Sequence, residues 1–451
     1  MPRVFLRFTN RDILLLYIYI EEHPMRYPPF LALMAISLAS CAGPSSVLNS
    51  SSQESASHQS VLSSSSQEPA LPESAKYVYN LPKADKVQRL PVELKASLSG
   101  PAMADLAKLA QGAEGNFVVS PASYLLAVSG LASVSRDFPL TSFGLSDAKA
   151  DLKALLEAWN FEYHYLKEYD YGKEEKYCRF EAVVAHQSVG PTYRFDPAKR
   201  EALKQDYVST MESSLGQYHQ DATEFFHDVL DFTIPVPDPN LTQDGVLTYG
   251  GFKMKDFVPG GLATTKDALF NDKKAEVHSF GSKMWPEHLP YYSGENYQVF
   301  RLPINYTDMV IVLPEKGVGL AEISLEQAYS AYQKNRTTVA AMGYVPYFHN
   351  HTESLDITSC VGEKLTGKEA FYDALLPETT HNDLELDQVL QSSDFEFNQY
   401  GVSGESITVM AMSGSAAPIE EEVISLNVDR PFYAISEKDG FPLFINRVES
   451  L

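Results

Sequence analysis

The stretch "GVSGESITVMAMSGSAAP" (401–418) holds Gly, Ser, Ala and Met with one charge, Glu405, and is followed by the apolar, strand-like "VDRPFYAI" (428–435). A run of this composition normally serves as a linker between domains. Here it stands directly ahead of further strand-like sequence, so its purpose has to come from its neighbours.

Outward from this stretch both sides read as folded. Downstream lie "EVISLNV" (422–428), "PFYAIS" (431–436) and "PLFINRV" (442–448); upstream lie "DFEFNQ" (394–399), "VAAMGYVPYF" (339–348), "DMVIVLP" (308–314) and "YQVFRLPI" (297–304). These β-branched and aromatic runs predict strands. Earlier, "GPAMADLAKLAQG" (100–112) and "SDAKADLKALLEAWNF" (146–161) space apolar residues by three and four and predict helices. "AKREALKQDY" (198–207) and "DATEFFHDVLDF" (221–232) do so less cleanly. Helices first and strands later predict an α+β fold with antiparallel or mixed sheets, in one large domain over 76–451.

The chain has 451 residues, 44% hydrophobic and 21% charged, the balance of a soluble globular protein. Its formal charge of −23 argues against a general nucleic-acid binder, because a phosphate backbone needs a basic face. Three cysteines, Cys41, Cys178 and Cys360, make no disulfide framework, and the last two read as lone buried thiols.

The segment "MRYPPFLALMAISLASC" (25–41) has a basic start, a short apolar run and small residues before a cysteine. The run is too short to span a bilayer and has the form of a secretory h-region. Leu38-Ala39-Ser40-Cys41 resembles the bacterial lipobox, which implies lipidation at Cys41 and a signal peptide within 1–40. Met25 offers an internal start, so 1–24 are read as lying outside the native product. Residues 41–75 form a Ser-rich tether in which "VLNSSSQESA" (47–56) returns as "VLSSSSQEPA" (61–70). It buries too little apolar surface to offset ordering entropy, so it reads as a flexible spacer.

Two enzyme-like patterns fail on inspection. Ser146-Asp-Ala-Lys149 matches S-x-x-K, but the S-D-N and K-T-G partners of that chemistry are missing, so Ser146 reads as a helix N-cap. "FHNH" (348–351) puts His349 and His351 on one face of a strand, yet a zinc site needs further ligands that no nearby cluster supplies. No metal and no cofactor is expected.

Several segments, taken in order, resemble the serpin family. "NFVVSPAS" (116–123) with the helix "YLLAVSGLASVS" looks like its N-x-x-x-S-P-x-S signature. "TKDALF" (265–270), "YQVFRLPINYTDMVIVLPEKG" (297–317) and "VDRPFYAISEKDGFPLFINRV" (428–448) look like successive strand segments. "FEFNQYGVSGESIT" (395–408) resembles the strand and hinge that enter the reactive-centre loop. The resemblance implies a helix-rich N-terminal part, a large central mixed β-sheet, further sheets and an exposed bait loop. It also implies that a protease cutting the loop is trapped as an acyl-enzyme while the loop inserts into the sheet as a new strand.

The residues suit that role. In one register Val402, Gly404, Ser406 and Thr408 point inward, small or uncharged, while Ser403, Glu405 and Ile407 point out. The other register would bury Glu405 at a cost of about several kcal/mol. Extended, residues 402–415 reach about 45 Å. The alternative is a surface loop with no strand role. The hinge is Gly401–Thr408, and the sheet-opening region implied by the resemblance is Ser120, Ser123, Thr248 and Gln391.

There are departures. The hinge lacks the family's alanine run; Gln399 and Tyr347 replace an acid and a lysine that often pair; Thr248 and Asp256 stand where an Asn and a Trp are usual. These put fast insertion in doubt while leaving the fold intact.

Counting forward from Gly401, the family's spacing selects the bond Ser415–Ala416. Counting back from Asp429 selects Glu420–Glu421, but the inserted length ahead of the bond is what carries the protease, so the forward count governs. Small residues there suit an elastase-like pocket, and no Lys or Arg occurs between Gln399 and Arg430. The sequence thus points to a monomeric suicide inhibitor of a serine protease, held by its N-terminal lipid on an extracytoplasmic face of a bacterial membrane, outer membrane or cell surface. The rival reading is a non-inhibitory serpin-fold surface protein whose loop is cut without trapping.

Overall fold

Asn116 joins the early and late parts of the chain. Its Oδ1 accepts from the amides of Glu449 (2.8 Å) and Ser450 (2.9 Å), and its Nδ2 donates to the Ser450 carbonyl (2.8 Å). The computed structural model describes residues 76–82, 88–169, 172–257, 264–367, 369–376, 384–403 and 422–451, all within the unit Leu71–Leu451.

In chain order the first half forms β1 (Tyr77–Val78), α1 (Val92–Gly112), β2 (Phe117–Val119), α2 (Pro121–Ser133), α3 (Ala148–Ala158), β3 (Phe161–Tyr169), β4 (Gly172–Val189), α4 (Pro197–Gln205) and β5 (Val208–Ser213). It then forms α5 (Tyr218–Glu224), a π turn (Phe225–Val229) and β6 (Gly245–Phe257). The second half adds β7 (Thr264–Phe270), β8 (Lys273–Phe280), β9 (Glu287–Ser293), β10 (Tyr297–Pro303), β11 (Asp308–Pro314), α6 (Leu325–Asn335), β12 (Thr337–Pro346) and β13 (Phe348–Asp356). It ends with α7 (Thr358–Gly362), β14 (Leu390–Asn398), β15 (Gly401–Ser403), β16 (Ile424–Asn427), β17 (Phe432–Lys438) and β18 (Phe441–Val448).

The strands make two mixed sheets. One runs β1-β5-β4-β6-β15-β14-β13, with β3 paired to β4; the other runs β2-β18-β17-β11-β10-β9-β12-β8-β7, with β16 paired to β12. Among the described residues only β4–β5 and β12–β16 pair in parallel. Every residue of β17 and β18 is buried, as expected of strands covered on both faces. The main core lies between the sheets and helices α1–α3, with Trp159, Tyr433 and Phe441 fully buried in it. A second, smaller core of Val183, Ala185, Met211, Phe225, Phe226 and Phe232 lies where the π turn after α5 meets β4 and β5.

Helix starts follow local chemistry. Ser120 caps α2, its Oγ accepting from Ser123 N, with Pro121 in the first turn. At α3 the cap is Asp147, whose carboxylate accepts from the amides of Lys149 and Ala150. This corrects the reading of Ser146 as the cap: its amide donates to Asp151 Oδ2 (2.6 Å) instead. The first half is also less purely helical than expected, because 161–189 is a long β-hairpin. The helix expected over 221–232 is α5 followed by the π turn, ending at Val229. Cys178 is buried and Cys360 half-buried, and both are free thiols.

Candidate functional site

The hinge is built as a tight hairpin. β14 ends at Asn398, whose Oδ1 accepts from Tyr400 N (2.9 Å), and Gln399 and Tyr400 are exposed at the turn. Gly401 follows with φ 137°, a conformation L side chains rarely adopt, so the hinge needs glycine here. Residues 401–403 then run as a strand between two others. Gly401, Val402 and Ser403 face Asn398, Phe397 and Glu396 on β14, and Phe257, Asp256 and Lys255 on β6.

Val402 is fully buried in the main core. Ser403, the next residue along the strand, faces the other side of the sheet. It is buried rather than solvated, and its Oγ has no hydrogen-bond partner among the described residues. Hinge positions Gly404, Glu405, Ser406, Ile407 and Thr408, and the bond Ser415–Ala416, lie outside the described residues, as does Cys41.

Beyond β15 the two flanking strands part. β6 is paired to β4 from Gly245 to Lys255, and β14 to β13 from Leu390 to Phe397. Among the described residues no strand pairs with the facing edges over 245–254 and 390–395. A cleft of about 950 Å³ opens there, with Ser123, Thr248, Gly251, Phe232, Gln391 and Ser403 among its walls.

Helix α2 holds both banks of the cleft. Ser120 N donates to Gln391 Oε1 (2.8 Å) and Gln391 Nε2 donates back to Ser120 O (3.0 Å), fixing β14. Ser123 Oγ donates to Gly250 O (2.7 Å), fixing β6. Gly250 allows this approach, since a Cβ there would stand 2.3 Å from Ala127 N. Ser120, Ser123 and Gln391 therefore come together at the start of α2.

Thr248 does not join them. Its hydroxyl bonds His186 Nδ1 (2.9 Å) and Tyr372 OH, on the β4 side of the cleft. His186 is fully buried, Nε2 has no partner among the described residues, and burial lowers its pKa to about 3.

Asp256, noted only as a departure, is a buried anchor. Its carboxylate accepts from Phe257 N (3.0 Å), Asn305 Nδ2 (3.2 Å), Tyr306 N (2.9 Å), Thr307 N (2.7 Å) and Thr307 Oγ1 (2.7 Å). Burial pushes its pKa up, against the pull of these donors. It ties the β10–β11 turn to the end of β6 where the hinge enters. Sequence offered no sign of this, because four of the five donors lie some fifty residues away. Tyr347, on the residue between β12 and β13, bonds Thr264 Oγ1 (2.9 Å) and packs on Phe397. His349 Nε2 (2.8 Å) and His351 Nδ1 (3.2 Å) do share one face, both bonding Asp394 Oδ2.

No curated protein sequence matches the chain. Solved structures do. The thermophilic serpin tengpin in its native state covers 83% of this chain and 100% of its own, with 12% identity and TM-score 0.60. Human thyroxine-binding globulin, complexed with its hormone, covers 79% and 98%, with 13% identity and TM-score 0.57. Arabidopsis AtSerpin1 in its native stressed conformation covers 79% and 98%, with 15% identity and TM-score 0.56. The family model for serpins, serine protease inhibitors, matches residues 268–451. Two such sheets, a hinge strand set between β6 and β14, and these matches lead to one conclusion: the chain has the serpin fold, and its residues 268–451 match the serpin family.

Proposed function

We propose that the protein is a suicide inhibitor of an extracytoplasmic serine protease with elastase-like preference, anchored to a bacterial membrane through lipid on Cys41. The observation that carries this is β15: three hinge residues already run as a strand between β6 and β14, at the head of a cleft whose facing edges have no strand partner among the described residues. Exposed edges of this kind accept a further strand.

The same register, carried forward, would set Glu405 between Lys253 and Asp394 on the outer face. Ile407 would lie beside Gly251, where Phe226 and Phe232 already approach within 3.0 and 3.2 Å of a Cβ position. On the inner face Thr408 would meet Gly250 and Gln391. The loop's charge thus lies between a lysine and an aspartate, while its aliphatic residue meets rings, and the second pairing supports insertion. Cleavage at Ser415–Ala416 followed by insertion would carry the attached protease along the cleft.

One observation favours the second reading, a loop cut without trapping. Thr248, named with Ser120, Ser123 and Gln391 for the opening region, is engaged with His186 and Tyr372 instead, so the four do not act as one connected set. Incubation with a panel of serine proteases separates the two. A covalent complex stable on a denaturing gel supports the inhibitor; cleavage without any complex supports the alternative.

A further inference from the structure

The two-residue strand β1 is held far more densely than its length requires. Tyr77 and Val78 pair with Met211 and Thr210 of β5. Lys76 Nζ sits 2.5 Å from Asp221 and 3.3 Å from Glu224, both on α5, and the Asp221 side chain is itself largely buried. Tyr77 OH donates to the Asp221 carbonyl (3.2 Å) and to Glu224 (3.3 Å). Arg200 of α4 donates to the Lys76 carbonyl (3.1 Å).

These contacts continue to the cleft through aromatic rings. Tyr77 and Tyr79 pack on Phe225 of the π turn, with centroids 5.5 and 5.9 Å apart. Phe225 packs on Phe226 (5.6 Å), and Phe226 on Phe232 (5.6 Å) and on Tyr249 of β6 (5.4 Å). Phe226, Phe232 and Tyr249 all line the cleft. A closely packed series of rings transmits displacement rather than absorbing it, because interiors are near close packing.

We propose that residues 76–79 act as a clip that holds α5 and its π turn against β6, so that releasing the clip lowers the barrier to opening between β6 and β14. This rests on the loop-insertion reading above. The clip, residues 76–79, is far in sequence from β6 and β14 and reaches β6 through α5 and the ring series.

The test uses the full chain with its loop uncut, held just below its own unfolding midpoint. Conversion to the inserted form is followed by two signs together: resistance of the loop to proteolysis and a raised thermal midpoint. Lys76→Glu, which sets like charges against Asp221 and Glu224, should convert about tenfold faster or more than wild type, and Tyr77→Ala likewise, whereas Lys76→Arg should stay within about twofold.

Equal conversion rates in all four proteins would overturn the clip, and so would variants that unfold or aggregate without giving a thermostable product. Loop-cleaved wild type is the control. If it gains no thermal stability, the insertion reading itself fails and the clip falls with it. If it gains stability while the variants convert at the wild-type rate, the clip alone fails.

Discussion

Val402 stands directly across the β15–β6 ladder from Asp256, and both side chains are fully buried. The first loop side chain to enter the core is therefore set beside a carboxylate that fixes the β10–β11 turn. Asp256→Ala would leave the amides of Phe257, Tyr306 and Thr307 without their acceptor and should destabilise the uncleaved protein by about 2–4 kcal/mol. Asp256→Asn keeps one carbonyl acceptor and should cost less. Thermal unfolding of the three proteins checks this, together with hydrogen exchange at Val402, which should quicken in the Ala variant. An unchanged midpoint would mean the turn holds itself.

His186 makes stability depend on pH with a defined sign. Its pKa is lowered from 6.5 to about 3 by burial, so between those values the unfolded chain takes up a proton that the folded one refuses. Stability from this residue is present above pH 6.5 and is lost as pH falls toward 3, at up to about 1.4 kcal/mol per unit. Asp256 and Glu437, both raised by burial, act with the opposite sign, losing stability as pH rises. The measurement is therefore a difference: His186→Phe should remove about one proton from the acid dependence of unfolding. Parallel pH profiles for the two proteins would contradict it.

If the loop inserts as proposed, cutting it near 410–417 should raise the thermal midpoint by tens of degrees, because an added strand would bury new surface and release a native state that the uncut loop keeps kinetically trapped. Gly404→Asp or Ser406→Arg should abolish that gain and turn inhibitor into substrate, since each would carry a charge to the inner face. Midpoints that match before and after cleavage of the wild type would favour the non-inhibitory reading.

The mass of the C-terminal peptide released from a protease complex locates the bond. A fragment beginning at Ala416, or at Ala417 if the cut falls one residue on, is expected, with an elastase as the reacting enzyme. A fragment beginning at Glu421, or reaction confined to trypsin-like enzymes, would reject this assignment and leave the fold untouched.

Membrane attachment is tested separately. Wild-type protein expressed in bacteria should fractionate with membranes and start at a lipid-modified Cys41, whereas Cys41→Ser should remain unlipidated and unprocessed. A soluble wild type with an unmodified N-terminus at another residue would rule out the lipobox.

What could be read from sequence was mostly short-range pattern. The small inward face at Val402, the Ser120 cap ahead of Pro121 and the apolar runs of β17 and β18 announce themselves within a few residues. The β3–β4 hairpin did not, because "FEYHYLKEY" and "GKEEKYC" mix charged and aromatic residues in a way that marks neither a buried strand nor an amphipathic helix. The α3 cap slipped by one residue because Ser146 and Asp147 are equally good caps, and only the amides of Lys149 and Ala150, which donate to the Asp147 carboxylate, decide between them. Asp256, His186 and Tyr372 stayed hidden for a different reason: each takes its meaning from partners more than fifty residues away.

The pairing of β2 with β18 has a consequence for biosynthesis. Phe117, Val118 and Val119 find their strand partners only in Arg447, Asn446 and Ile445, and Asn116 is held by Glu449 and Ser450. Contacts that span most of a chain form slowly, after long loops have closed. During synthesis this edge must wait, unpaired, until residues 445–447 have been made. A nascent chain arrested before residue 445 should therefore stay protease-sensitive and in need of a chaperone, even with all of the eight-stranded sheet already made.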